Sequence, residues 1–369
     1  MDYEVEFHPV GDTTKSGDAI SVRYNANGTY SVIVIDGGTS DSGEALVEHI
    51  RNVYGPNTVI EHAVSSHPDN DHASGLREVL RAFPVRNLWI HGLWHHAREM
   101  LPYYADKRLT EQSLAAKLRE AYPIVEELIN LAQENGTPVY EPFGGSMIGP
   151  LRVMSPSLHA YTRLAPQFRK GPDPDIEALK RESWWLGEKQ QPTLLGRILE
   201  KAATWIDESW GIELLKEGAV TAAENETSTV LYGEFGGSPV LLTADAGFNA
   251  LSWSCNYATQ LGIDFSRLKL VQVPHHGSRS NVTPSVLDRL LGPRLSADAP
   301  TKRIAIVSCP KDDEKHPRKM VVNAFRRRGA PVYKTQGIRI RHHAGAMPAR
   351  PGEVAAEPFE WFGKVEAYD

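Results

Sequence analysis

The chain has 369 residues, 41% of them apolar and 23% charged, with a formal net charge of −6, an ordinary balance for a globular protein that can form one large domain or two smaller ones. Its two cysteines, Cys255 and Cys309, are too few for a disulfide framework or a cysteine-based zinc site. No apolar run is long enough to span a membrane, and the opening MDYEVEFHPVG lacks the basic and apolar regions of a secretory signal. The expectation is a soluble, cytoplasmic protein with no membrane segment.

In chain order, AISVRYN and YSVIVID read as paired strands around a turn at Ala26-Asn27-Gly28, the second ending at Gly37-Gly38. Residues 42–53 carry a helical pattern. NTVIEHAVSSH reads as a strand, GLREVLRAF as a helix, NLWIHG as a strand, and TEQSLAAKLREAYPIVEELINLAQENG as one long helix stopped by Gly136. Strands follow in TPVYEP and PLRVMSP, and the alternation predicts a layered α/β domain. Between about 157 and 220 it stops; this stretch reads as a helical insertion whose core would hold Trp184, Trp185, Trp205 and Trp210. Strands resume in STVLYGEF, SPVLLTAD, LKLVQVPHHG and RIAIVSC, with helices at 284–291 and 317–328. Residues 344–369, rich in Pro, Ala, Gly and Glu, read as a loosely attached C-terminal tail, which leaves 1–343 as one interrupted domain.

The chemistry concentrates in SHPDNDHASGL. His67, Asp69, Asp71 and His72 are four metal-capable side chains in six positions, placed where a strand turns into a helix, and two ions a few ångströms apart need about this density of ligands. LLTADA ends an apolar strand on Asp245, where a buried carboxylate is costly unless paired or metal-bound. VPHHGSRSN ends another on His275 and His276, and EKHPRK adds His316. His91, His95 and His96 read as a loop at the rim of the same cleft.

Taken in order, GDAI, VIDGG, SHPDNDHASGL, NETS, LLTAD, PHHGS and HP resemble the metallo-β-lactamase superfamily. More narrowly, they are similar to the hydrolase domain attached to the ComEC competence protein, here without its membrane channel. The resemblance covers about residues 5–156 and 222–340. It implies an αββα sandwich with a dinuclear site on one edge. His67, Asp69, Asp71, His72, Asp245 and His276 would be metal ligands. Asp71, His275 and His316 would be catalytic, with His275 or His316 open as an alternative ligand, and Asn225, Ser228, Ser278 and Arg279 would contact substrate. Asn225-Glu226-Thr227-Ser228 stands where many relatives carry a further histidine.

Asp69 occupies a position at which a nitrogen-rich site would carry histidine. A carboxylate there makes the site harder and more anionic, tilting it from Zn²⁺ toward Mn²⁺ or Mg²⁺. Two divalent ions facing three aspartates still leave a positive centre, suited to an anionic phosphodiester. The expected activity is therefore metal-dependent phosphodiester hydrolysis, with DNA or RNA as substrate and partner. Alternatives are small phosphodiesters, cyclic esters or amides, or a non-catalytic nucleic-acid or protein-binding module. Between Asp264 and His343 there are 17 Lys and Arg against 6 Asp and Glu, among them Arg279, Arg318, Lys319, Arg326, Arg327, Arg328, Arg339 and Arg341. They form a candidate track for a phosphate backbone.

Overall fold

The structure, a computed structural model, describes residues 1–12, 16–26, 28–182 and 205–368. Its first half supplies strands β1 (Tyr3–Phe7), β2 (Ala19–Ala26), β3 (Thr29–Gly37), β4 (Ile60–Val64), β5 (Leu88–Trp89), β6 (Val139–Tyr140), β7 (Met147–Ile148) and β8 (Leu151–Ser155). The second half supplies β9 (Trp205–Asp207), β10 (Val230–Phe235), β11 (Ser238–Leu242), β12 (Leu270–Gln272), β13 (Ile304–Val307), β14 (Val332–Lys334), β15 (Ile340–Ala344) and β16 (Lys364–Glu366). Two seven-stranded sheets result, ordered β15-β1-β2-β3-β4-β5-β6 and β14-β13-β12-β11-β10-β8-β7, with a separate β16-β9 ribbon.

Successive side chains of a strand point to opposite faces, so strands that are apolar throughout serve two cores at once. In β3, Ile33 and Ile35 pack between the sheets while Val32 and Val34 lie under helices. In β11, Val240 and Leu242 enter the same inter-sheet core and Leu241 faces the opposite helical layer. One outer layer comprises helices at Ser40–His49, Leu76–Ala82, Glu111–Ala121 and Pro123–Glu134. The other comprises Phe248–Gln260, Pro284–Leu291 and Lys319–Arg327. The architecture is the expected αββα sandwich.

Three local expectations are corrected. The single helix ending at Gly136 is two, because Pro123 has no N–H to continue the first and begins the second. Trp184 and Trp185 fall outside the described residues, but Trp205 and Trp210 do not form the core of a helical subdomain. Trp205 lies exposed on β9 with Lys319 Nζ 4.1 Å from its ring centroid. The indole of Trp210 donates to Leu295 O at 2.8 Å and packs 5.1 Å from Trp361. The tail is tied down as well: β16 pairs with β9, Phe359 N–H donates to Val332 O at 2.8 Å, and Val365 is buried. Among the described residues, no helix is long and apolar enough to cross a membrane.

Candidate metal centre

Loops leaving the carboxyl ends of parallel strands meet at one edge of the sandwich, the place where α/β sheets present their ligand-binding groups. β3 ends on Asp36. β4 runs into Ser65–His67 and the short helix Asn70–Ala73, which carries Asp71 and His72. β11 leads to Asp245, its neighbour β12 to His275 and His276, and β13 to Ser308. Thr229 joins the two sheets here, its N–H and Oγ1 both donating to Ser66 O at 3.0 and 3.1 Å. Asp36, Ala244, His275 and His276 all adopt left-handed backbone conformations, with φ of 54°, 44°, 46° and 56°. That conformation is costly for residues with a Cβ, and its clustering marks a functional edge.

Three buried imidazoles share one arrangement. His67 Nδ1 lies 2.9 Å from Ser66 Oγ, His72 Nδ1 2.9 Å from Asp36 Oδ2, and His276 Nδ1 2.9 Å from Ser308 O. Carboxylate and carbonyl oxygens only accept, so His72 and His276 carry a proton on Nδ1. Ser66 commits its own hydroxyl hydrogen to Asp36 Oδ2 at 2.5 Å, so His67 does the same. The three Nε2 atoms and Asp245 Oδ1 are buried with no hydrogen-bond partner among the described residues. They converge: Asp245 Oδ1 is 3.4 Å from His72 Nε2 and 3.7 Å from His276 Nε2, and Asp245 Oδ2 is 3.9 Å from His67 Nε2. Each orphaned buried polar atom costs about 1–3 kcal/mol, so four around one point form a donor set placed for a cation. Imidazoles anchored through Nδ1 and presenting Nε2 are how proteins hold metal-ligating histidines. At this edge two triads have donor atoms within 4.8 Å of one another, namely Asp36, His67 and His72, and His72, Asp245 and His276.

The electrostatics divide the set: His67 and His276 are kept neutral, whereas His72 would release a proton to an arriving cation. Burial lowers His67 and drives His276 down to about 3, which keeps their lone pairs free. Burial also opposes the charged forms of Asp245 and His72, but here the partners win. His275, His72 and His276 hold Asp245 well below the usual carboxylate range, and Asp245 with Asp36 holds His72 well above its ordinary value. Asp18, pushed up to about 6 by burial, accepts from Gln272 Nε2 at 2.7 Å. Gln272 Oε1 in turn accepts from the N–H groups of Thr243 and Ala244, both at 2.9 Å. Asn281 Nδ2 donates to Asp245 O at 2.8 Å. The loop presenting Asp245 is thus fixed from both sides.

The remaining expected residues divide by position. Asp69, partly exposed, lies at the mouth with Oδ2 3.9 Å from His67 Nε2 and 2.9 Å from Arg169 Nη2. Asp71 joins neither triad and lines a cavity of about 1060 Å³ with Asp12, Asp41 and Lys311. His275 stands at the rim, 36% exposed, with Nδ1 2.8 Å from Asn281 Oδ1 and Nε2 3.5 Å from Asp245 Oδ2. Asn225 Nδ2 reaches within 3.4 Å of Asp245 Oδ2. His316, 30% exposed, has its Nδ1 3.0 Å from Asp313 Oδ2. Ser228 is buried. Ser278 Oγ accepts from Ser280 N–H within its own loop, and Arg279 Nη1 donates to Ala367 O at 2.7 Å, toward the C-terminal segment. His91 is buried against Tyr161 rather than at a rim, and His96 Nε2 is 3.0 Å from Glu141.

Asp36, Asp18, Gln272 and Arg169 were not singled out from sequence. Asp36 carries the same signal as Asp245, a carboxylate closing an apolar strand. Part of the candidate basic track is internal: Arg327 and Arg328 are fully buried on Glu208, Glu213 and Asp288, and the Arg341 side chain is covered on Glu4. They answer acidic residues from distant parts of the chain, which a count over a local stretch does not register.

Residues 22–155 match the family model of the metallo-beta-lactamase superfamily. Among solved structures the chain is similar to a candidate metallo-beta-lactamase from Thermotoga maritima, at 10% identity over 73% of this chain and 95% of that one, with a TM-score of 0.35. A CmlA beta-hydroxylase variant aligns at 10% identity over 93% of this chain and 54% of that one, TM-score 0.41. A beta-lactamase domain protein from Burkholderia ambifaria aligns at 14% identity over 75% and 69%, TM-score 0.34. No curated protein matches the sequence.

Proposed function

We propose that the protein is a ComEC-like, metal-dependent phosphodiesterase acting in the cytoplasm. The observation that carries the reading is the convergence of three outward-anchored imidazoles on Asp245, with a carboxylate, Asp69, at the open side. His67, His72, Asp245 and His276 would hold divalent ions, with Asp69 and Asp71 completing the set. Mn²⁺ or Zn²⁺ is favoured and Mg²⁺ is possible. Bound there, such ions supply Lewis acidity and lower the pKa of water toward about 7. Asp36, Ser66, Ser308 and Gln272 keep the donor atoms aimed. His275, at the mouth with its Nδ1 proton fixed by Asn281, would hand a proton to a departing oxygen, with His316, oriented by Asp313, as the alternative donor. Asn225 borders the same space, and Ser228 would support substrate from beneath the same loop.

DNA or RNA is the substrate class that the motif set supports. A second reading, small or short phosphodiesters, is favoured by the burial of Arg327 and Arg328 and of the Arg341 side chain, which removes them from any surface track. The test is hydrolysis of bis-p-nitrophenyl phosphate and of labelled DNA and RNA by protein stripped of metal and then given Mn²⁺, Zn²⁺ or Mg²⁺. Metal-dependent cleavage, abolished in Asp245→Asn and His276→Ala together with metal binding, is expected. Retained metal binding with no diester cleaved under any metal overturns the proposal in favour of ester or amide hydrolysis or a binding module.

A further inference from the structure

Arg169 reaches the mouth of the centre from the 157–220 segment. Phe168, buried in the helix-side core, anchors the turn before it. The backbone N–H and Nε of Arg169 both donate to Glu224 Oε1, at 2.6 and 3.1 Å. Glu224 is itself buried and stands next to Asn225. These two bonds fix the root and neck of the side chain. They leave Nη2 on Asp69 Oδ2 at 2.9 Å and Nη1 without a hydrogen bond to any described residue, on a side chain that is 53% exposed.

We infer that Arg169 is the residue that recognises an anionic phosphoryl oxygen at this site, an inference that rests on the phosphodiesterase reading. Asp69 Oδ2 faces both Arg169 and His67. When that carboxylate turns to a cation, Nη2 gives up its acceptor while Glu224 still holds Nε in place. The two terminal nitrogens then point out of the mouth as a ready fork, the geometry that suits phosphate oxygens and that lysine cannot reproduce. A purely architectural ion pair would have no need of an exposed guanidinium end beside a metal motif. Supplied by the insertion, the fork would set the preference for anionic over neutral substrates.

The experiment is calorimetric titration of the metal-loaded protein with inorganic phosphate, together with steady-state kinetics on anionic bis-p-nitrophenyl phosphate and neutral p-nitrophenyl acetate. Arg169→Ala should weaken phosphate binding and raise KM for the diester roughly tenfold to a hundredfold, the worth of a charge-assisted pair. Metal content, kcat and hydrolysis of the neutral ester should hold. Arg169→Lys should fall between, and it carries the test if the alanine variant fails to fold. Unchanged phosphate affinity in both variants, or equal losses on both substrates, overturns the assignment, as does wild-type protein that binds no phosphate. If wild type binds phosphate through Arg169 yet cleaves no diester, the anion site stands and the phosphodiesterase reading fails.

Discussion

Asp36 organises more of the centre than any residue that would touch a metal ion. Its carboxylate accepts from Ser66 N–H at 2.8 Å, from Ser66 Oγ and from His72 Nδ1, so one side chain sets the aim of both His67 and His72. In Asp36→Asn the amide can serve Ser66 N–H through its oxygen, but its NH₂ then faces the His72 Nδ1 proton. The imidazole would have to change tautomer and lose its free Nε2. Divalent-metal affinity is expected to fall about 10- to 100-fold with the fold intact, measured by calorimetry; an unchanged affinity would remove Asp36 from this role. The density of His67, Asp69, Asp71 and His72 is visible in sequence because the motif is local, and Asp245, His275 and His276 are visible because each closes an apolar strand. Arg169 has no such signature. It meets Asp69 across 100 residues of chain, and only tertiary structure brings the two together.

At the scale of elements, the β9–β16 ribbon and the Lys319–Arg327 helix form one unit. Glu366 accepts from Lys319 N–H at 3.1 Å with both oxygens, at the helix N-terminus where a carboxylate is favoured. At the other end Arg327, fully buried, pairs with Glu208 at 2.9 Å and donates to the carbonyls of Ser209, Trp210 and Ile212. Arg327→Ala leaves the buried Glu208 without its charged partner, held only by the neutral donors Leu214 N–H and Asn323 Nδ2, and a loss of about 3–5 kcal/mol is expected from urea unfolding. A loss under 1 kcal/mol would show that water reaches the pair. The strands and most helices were legible from alternation and turn residues. The tail was not, because Phe359, Trp361, Phe362 and Val365 are too sparse to outweigh the surrounding Pro, Ala and Glu, yet a few apolar anchors suffice to hold a segment once a groove exists.

For the whole molecule, the first sheet depends on a buried ionic network at its edge. Glu4 and Glu6 on β1 are surrounded by Arg23, Arg339, Arg341 and Arg350. Burial would raise Glu6, but its contact with His49 and the charges of His49, His8 and Arg339 outweigh this and hold it at about 2. A carboxyl depressed in the folded state stabilises fully above its unfolded pKa and loses that contribution as it is protonated. Stability is therefore expected to drop as pH falls from about 4.5 toward 2. Glu6→Gln should flatten that limb of a pH series of urea midpoints, and a parallel limb in the variant would exclude Glu6 as its source. The same strand has a consequence for how the chain is made. β1 pairs on one side with β2, but its other edge is covered only by β15, with Phe7 opposite Ile340. On a ribosome that edge waits, unpaired, until β15 (Ile340–Ala344) has emerged. The two glutamates planted on it, met only by Arg23 and His49 until Arg339, Arg341 and Arg350 arrive, make it a poor template for any other strand in the meantime.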